Sequence, residues 1–421
     1  MARCIKTYEE FGNVPRTFQG EKRSLSEHFF LEDARDEPND LLKTAEKILR
    51  PKQKTLSPKL CTEAAARGCV KTLKTLREDF ACPWDQTTCE YAALNGHLEC
   101  LEYAHENGCS WNELTCCFAA SGGHLECLKY AHENGCPWDV HTCCMAAWKN
   151  YINAFLFGSE VARENCRAEL ACLKYAHENG CAWDERTWNA AVRSGDLECL
   201  EYLHEKRCPR DEKACTIAAY YGDLECLKYM HKTGHPWDES TCAAAAGNYR
   251  VDCLEYAHKN GCAWDKQTIK IAAARGALEC LEYAHENACP RYEHACTTAA
   301  EYAHVKCLEY AHKVGYSWDE RTCAAAANNF FTDCLAYAHE NGCAWDERTC
   351  EAAAKSWNVD CLRYAHESGC PWDERTCEAA VELGREKSLE YALKNRCAID
   401  KETREAAARD EGLKHVLDAW L

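Results

Sequence analysis

The feature that most constrains this chain is a 27-residue period. The stretch from Cys116 to Thr142, CCFAASGGHLECLKYAHENGCPWDVHT, is copied through nearly everything after residue 58. One register position falls at Cys89, Cys116, Cys143, Trp188, Cys215, Cys242, Ile269, Cys296, Cys323, Cys350, Cys377 and Arg404, giving ten intervals of 27 residues and one of 45. A fixed period of this size predicts a stack of like units whose function is carried by a surface. Ordering one such unit costs roughly 40 kcal/mol at about 1.5 per residue, which on the order of 1,600 Å² of apolar burial would offset. Two short helices cannot bury that between themselves, so each unit must rest on its neighbours.

Each copy holds two helical patterns. The first runs through Cys116, Ala119 and Ala120 and closes at Gly123 and His124, because glycine tolerates the left-handed backbone of a helix stop. In the second, Leu125, Leu128 and Ala131 recur at helical spacing before Gly135. Asp139 is placed to cap the next first helix, and the form DERT, from Asp346 and again from Asp373, adds a glutamate to its first turn. The expected fold is therefore all-α, an α-solenoid of about 12 stacked helix-turn-helix repeats over residues 58–421. Residues 1–57 read as a polar segment whose one convincing helix, Asn39 to Leu49, covers the end of the stack. An insertion of 18 residues near 149–167 carries Phe155, Leu156 and Phe157, and predicts either an extra helix or an apolar contact. A half-repeat cap is expected at 404–421, with Trp420 and Leu421 closing the last layer.

Ala92, Ala93, Gly96, His97, Leu98, Glu99, Asn107 and Gly108, repeated from Ala119 to Gly135, resemble the second half of an ankyrin repeat. The resemblance covers about 345 of the 421 residues. Two departures matter: the T-P-L-H opening of that family is missing, and the unit is about six residues shorter than the usual 33. The missing residues fall where the family carries its projecting hairpin, so contacts made by hairpin tips do not carry over. What the resemblance implies is an ankyrin-like array that acts as a non-enzymatic protein-protein interaction scaffold or adaptor.

Charge narrows the partner. The chain has 68 acidic against 50 basic residues, a net charge of −18. Phosphate binding needs clustered Lys and Arg, so nucleic acid is not expected, nor is an anionic membrane surface. A basic patch on another protein is the natural complement. The segment MARCIKTYEEFGNVPRTF has no apolar core of a signal peptide, and no run reaches transmembrane length, so a cytoplasmic, monomeric protein is expected.

Of 35 cysteines, thirty fall in three columns, ten each in register with Cys89, Cys100 and Cys109. The related repeats hold small apolar residues there, which predicts buried structural thiols in a reducing compartment. Neighbours within one column would lie about 10 Å apart, beyond disulfide reach. Ten histidines follow the register of His105, and nine tryptophans that of Trp111. Cys100 and His105 are turned about 140° apart on a helix and cannot share an ion, while His105 with Cys109 makes only two ligands, so no metal or cofactor site is expected. The tryptophans, each beside Asp or Asn, read as caps over the short connection rather than as a base-stacking ladder. No catalytic constellation stands out. The competing class is a Cys/His-rich metal- or redox-buffering repeat protein.

Where copies disagree, the fold leaves a position free for function. Disagreement concentrates at the end of the first helix and its turn, and aromatics gather there: Tyr220, Tyr221, Tyr249, Tyr302, Phe330, Phe331 and Trp357. These seven are the expected partner-binding residues, forming a stripe along the first-helix face.

Overall fold

A computed structural model describes residues 39–49, 56–148, 159–330 and 332–420. The described residues form 27 helices and no strand. They fall into two compact units, Met1–Ala214 and Cys215–Leu421. Each unit is an all-α stack of helix-turn-helix repeats, in which first helices pack on first helices and second helices on second helices.

The repeat Gln86–Leu94 plus Leu98–Glu106 shows how the sequence builds the unit. Asp85 caps the first helix, its carboxylate accepting the Thr87 amide at 3.0 Å. The same cap is made by Asp139, Asp184, Asp238, Asp265, Asp319, Asp346 and Asp373, so one residue type starts the helices of both units. Cys89, Ala92 and Ala93 are buried on the first helix, and Cys100, Leu101 and Ala104 on the second. Small side chains let the helix axes approach closely, and the thiols occupy the seams as small hydrophobes. All 33 described cysteines are free thiols, and all but Cys69 are buried.

Two glycines in the unit do different work. Gly108 has φ +82° with nothing within 4 Å of an added Cβ, so it serves only the left-handed stop of the second helix. There the Cys109 amide donates to Ala104 at 2.9 Å and the Gly108 amide to His105 at 3.0 Å. Gly96, at φ +73°, also leaves room for a neighbour, since a Cβ would lie 2.5 Å from Nδ1 of His124 in the next repeat. The histidines of these turns reach back across the stack, as when Nε2 of His97 donates to the Ala66 carbonyl at 3.1 Å.

A second ladder couples the repeats on the opposite side. The His105 ring stacks on Trp111 at 3.6 Å, and its Nδ1 shares a 3.0 Å hydrogen bond with the hydroxyl of Tyr130 in the following repeat. Trp111 meets the edge of that same tyrosine at 6.2 Å. The trio recurs from His132, Trp138 and Tyr175 in the first unit to His366, Trp372 and Tyr391 in the second. Each trio joins a second helix, the loop after it and the next second helix, so the short connection is held without a hairpin.

At the N-terminal side, the helix Asn39–Leu49 buries Leu41 and Ala45 and packs on the first repeat. The aromatic part of the insertion, Phe155 to Phe157, lies outside the described residues; from Ser159 the chain is helical without a break to Glu178. The C-terminal end forms two helices, Lys401–Ala407 and Glu411–Trp420. The first buries Thr403 and Ala407 and the second Leu413, Val416 and Leu417, whereas Trp420, expected to close the last layer, is exposed. The helix turns its i, i+3, i+4 leucine and valine face inward, and Trp420 lies off that face. Leu421 lies outside the described residues.

Two comparisons test these couplings. Gly108→Ala should cost about 1 kcal/mol, the left-handed strain alone; Gly96→Ala should cost about twice that, because the His124 ring must also move. Trp264→Ala, which removes the stack on His258 and the edge contact with Tyr283, should cost on the order of 2 kcal/mol. Tyr283→Phe, which removes only the hydroxyl bonded to His258, should cost about 1 kcal/mol. Urea midpoints followed by helical circular dichroism measure all four.

Candidate partner-binding surface

The turn between the two helices of a repeat is a short left-handed bend, and its register asks for glycine. Gly222, Gly276 and Gly384 fill that register in the second unit with φ of +79°, +74° and +63°. In three repeats an aromatic stands in the same place: Tyr249, Phe330 and Trp357. Tyr249 keeps the left-handed backbone at φ +62°, which a bulky side chain adopts only at a cost of about 1 kcal/mol or more. At Trp357 the turn is remade instead: the helix Glu347–Lys355 stops at Ser356 in an extended conformation, φ −64° and ψ 152°. The following helix, Asp360–Glu367, is one residue shorter than its nine-residue counterparts. Tyr302 sits one position before this register, beside Ala303, which takes the left-handed φ of +61°. Tyr220 and Tyr221 end the helix Ala214–Tyr221 and meet edge-on at 5.1 Å.

These aromatics are out in solvent. Trp357 is 77% exposed and Tyr249 61%, and Tyr220, Tyr221, Tyr302 and Phe330 are exposed as well. With Leu383 and Trp420 they are the exposed large hydrophobics among the described residues, and all eight belong to the second unit. Phe331 lies outside the described residues.

The turns that carry them are tied in a row. A side chain at Gly222 would collide with Arg250 of the next turn, and the Tyr249 hydroxyl donates to the Arg275 carbonyl. Nε2 of His304 donates to Ala274 at 3.1 Å, and Nδ2 of Asn329 to Ala300 at 2.6 Å. Farther along, Ser356 donates to Asn329 at 2.8 Å, Asn358 to Phe330 at 3.0 Å, and Nε of Arg385 to Lys355 at 2.9 Å. The Arg385 guanidinium also lies 3.7 Å from the Trp357 ring centre, so one face of that indole is covered by a cation. Backbone carbonyls are the acceptors in nearly all of these contacts, so the row is held whatever side chain each turn displays.

The charge beside the row is not that of the whole chain. Arg250, Arg275, Lys355 and Arg385 stand among Asp223, Glu301, Glu351 and Glu382, with Lys355 paired to Glu351 at 2.9 Å, whereas many of the acidic residues lie on the second helices, as with Glu99, Glu102 and Glu106. The histidines weighed as metal ligands are engaged elsewhere. Nδ1 of His105 is bonded to Tyr130, and the Cys109 thiol donates to the Asp85 carbonyl at 3.1 Å. Among the described residues no group of three or more His, Cys, Asp or Glu side chains is placed to hold a metal ion. No described helix is long and apolar enough to cross a membrane.

Two features escaped the reading of the sequence. The tyrosine that completes each aromatic trio stands two residues before every histidine, so its spacing of 25 residues from the preceding histidine was available as a signal. Members of different cysteine columns also meet inside one repeat, the Cys143 thiol reaching the Cys181 carbonyl at 4.0 Å, and nothing in the spacing along one column signals it.

No family model matches the sequence, and no curated protein matches it. Among solved structures, the human ASB11 ankyrin repeat domain is similar at 18% identity and a TM-score of 0.33, covering 37% of this chain and 83% of that one. The pentatricopeptide repeat protein PPR10 in complex with an 18-nt psaJ RNA element is similar at 13% identity and a TM-score of 0.39, over 91% of this chain and 67% of that one. A further structure of the pentatricopeptide repeat protein PPR10 from maize is similar at 14% identity and a TM-score of 0.32, over 85% of this chain and 62% of that one. The fold is that of a helical repeat protein.

Proposed function

We propose that the protein is a non-enzymatic scaffold that binds another protein along the row of first-helix ends and turns in its second unit. The observation that carries this reading is the replacement of glycine by Tyr249, Phe330 and Trp357 at a position the fold reserves for glycine. Tyr249 and Trp357 are mostly in water on a strained or a remade turn, and the one hydroxyl bond of the first and the one cation contact of the second return little of that cost to the repeat. Such local conflicts between sequence and fold mark functional positions. Exposed aromatics at regular spacing are the side chains that supply most of the energy of a protein interface.

The electrostatic part of the reading has two scales. At long range the net charge of −18 draws a partner with a basic surface. At the row itself Arg250, Arg275, Lys355 and Arg385 call for carboxylates set between apolar side chains. Buried free thiols support residence in a reducing compartment, and the cytoplasm is the compartment we assign.

The test is affinity capture with the full-length chain and with a Tyr220→Ala, Tyr249→Ala, Trp357→Ala triple variant, followed by mass spectrometry. The variant should keep its helical circular dichroism and recover the wild-type partners at least about tenfold less, since two or three lost anchors remove on the order of 1.4 kcal/mol or more. Equal recovery of the same proteins by both chains would falsify the assignment of this row.

A further inference from the structure

Five consecutive turns of the second unit run from Tyr249 to Trp357, and four of them display an exposed aromatic: Tyr249, Tyr302, Phe330 and Trp357. The turn left over, at Gly276, displays charge. Arg275 is exposed on it, and Arg250 is exposed one turn back. The other two cations of the row are engaged within the chain, Lys355 with the Glu351 carboxylate at 2.9 Å and Arg385 over the Trp357 ring at 3.7 Å. The positive charge offered to a partner is therefore concentrated beside Gly276. The turns ride on first helices that pack against one another, so successive turns stand about 8 to 10 Å apart.

A segment that places one side chain on each turn must repeat at that distance. On a β-strand, residues of one side recur about every 6.7 Å and the third residue faces away. On an α-helix, neighbours along one face lie about 5 to 6 Å apart, and only every seventh residue returns to the same line, about 10.5 Å on. A polyproline II helix has about three residues per turn and rises about 3.1 Å per residue, so every third residue faces the row again about 9.3 Å on. Its carbonyls make no internal hydrogen bonds, which leaves them for donors such as the Trp357 indole and the two guanidinium groups, and its proline rings dock on aromatic side chains. Resting on the reading that this row is the partner-binding surface, we infer that its occupant is a proline-rich segment of another protein in polyproline II form. It carries proline or another apolar residue at every third position, and a carboxylate in the triplet that passes Gly276, where Arg250 and Arg275 supply the opposite charge.

Fluorescein-labelled peptides of about 15 residues, enough to span five turns, are titrated with the full-length protein and followed by anisotropy. Two of them carry proline at every third position and a glutamate in either the second or the fourth triplet, one for each direction along the row. The tighter of the two should lose at least about tenfold in affinity when the same residues are reordered to break the period, and as much when its glutamate is replaced by lysine. Arg275→Glu should weaken the glutamate peptide and strengthen the lysine peptide. Tyr302→Ala and Trp357→Ala should each weaken binding about five- to tenfold with the helical circular dichroism unchanged. The inference is overturned by equal binding of the reordered peptide, or by tighter binding of a helical peptide with the same apolar residues at every seventh position. If no proline-rich peptide binds while captured partners still depend on Tyr220, Tyr249 and Trp357, this inference fails and the row stands as a docking surface. If capture does not depend on those residues, the row itself is wrongly assigned.

Discussion

Everything in this protein depends on burial between repeats rather than within them. A unit of two helices, most of them of seven to ten residues, has too little apolar surface of its own, and its buried residues are small, chiefly alanine and cysteine. Small side chains contribute little area each, but they allow backbones to come close, so that one helix is covered on both sides by its neighbours. Neighbour packing also explains why the cysteine count, which in a small secreted domain would mean a disulfide framework, here means a seam of thiols.

With so short a repeat, little chain lies between one unit and the next, and two sets of contacts link neighbouring repeats. On one side, the stacked histidine and tryptophan of one repeat receive the tyrosine of the next. On the other, side chains of successive turns bond to the carbonyls of the turn before. Because those bonds end on backbone, a turn can change its displayed residue without losing its place in the row. That freedom is what lets aromatics appear on some turns of the second unit while others keep glycine.

The two columns that looked most like chemistry, histidine and tryptophan, are part of the stacking. The cysteines divide by place: the column registered with Cys100 packs in the second helix, while helix thiols such as Cys143 and loop thiols such as Cys181 bond to backbone carbonyls.

The period by itself determined the repeat, the two helices, their aspartate caps and glycine stops, and the seven aromatics singled out by disagreement between copies, because each of these is a local requirement that every copy must meet or visibly break. Tertiary structure alone decided which tyrosine completes which histidine, which carbonyl each thiol meets, and that Trp420 lies outside the last layer while Leu413, Val416 and Leu417 lie within it. The physical reason is that a period gives the spacing of residues along the chain but not the rotation of one helix against the next. Two columns equally regular in sequence can lie on the same seam or on opposite faces, and only packing says which.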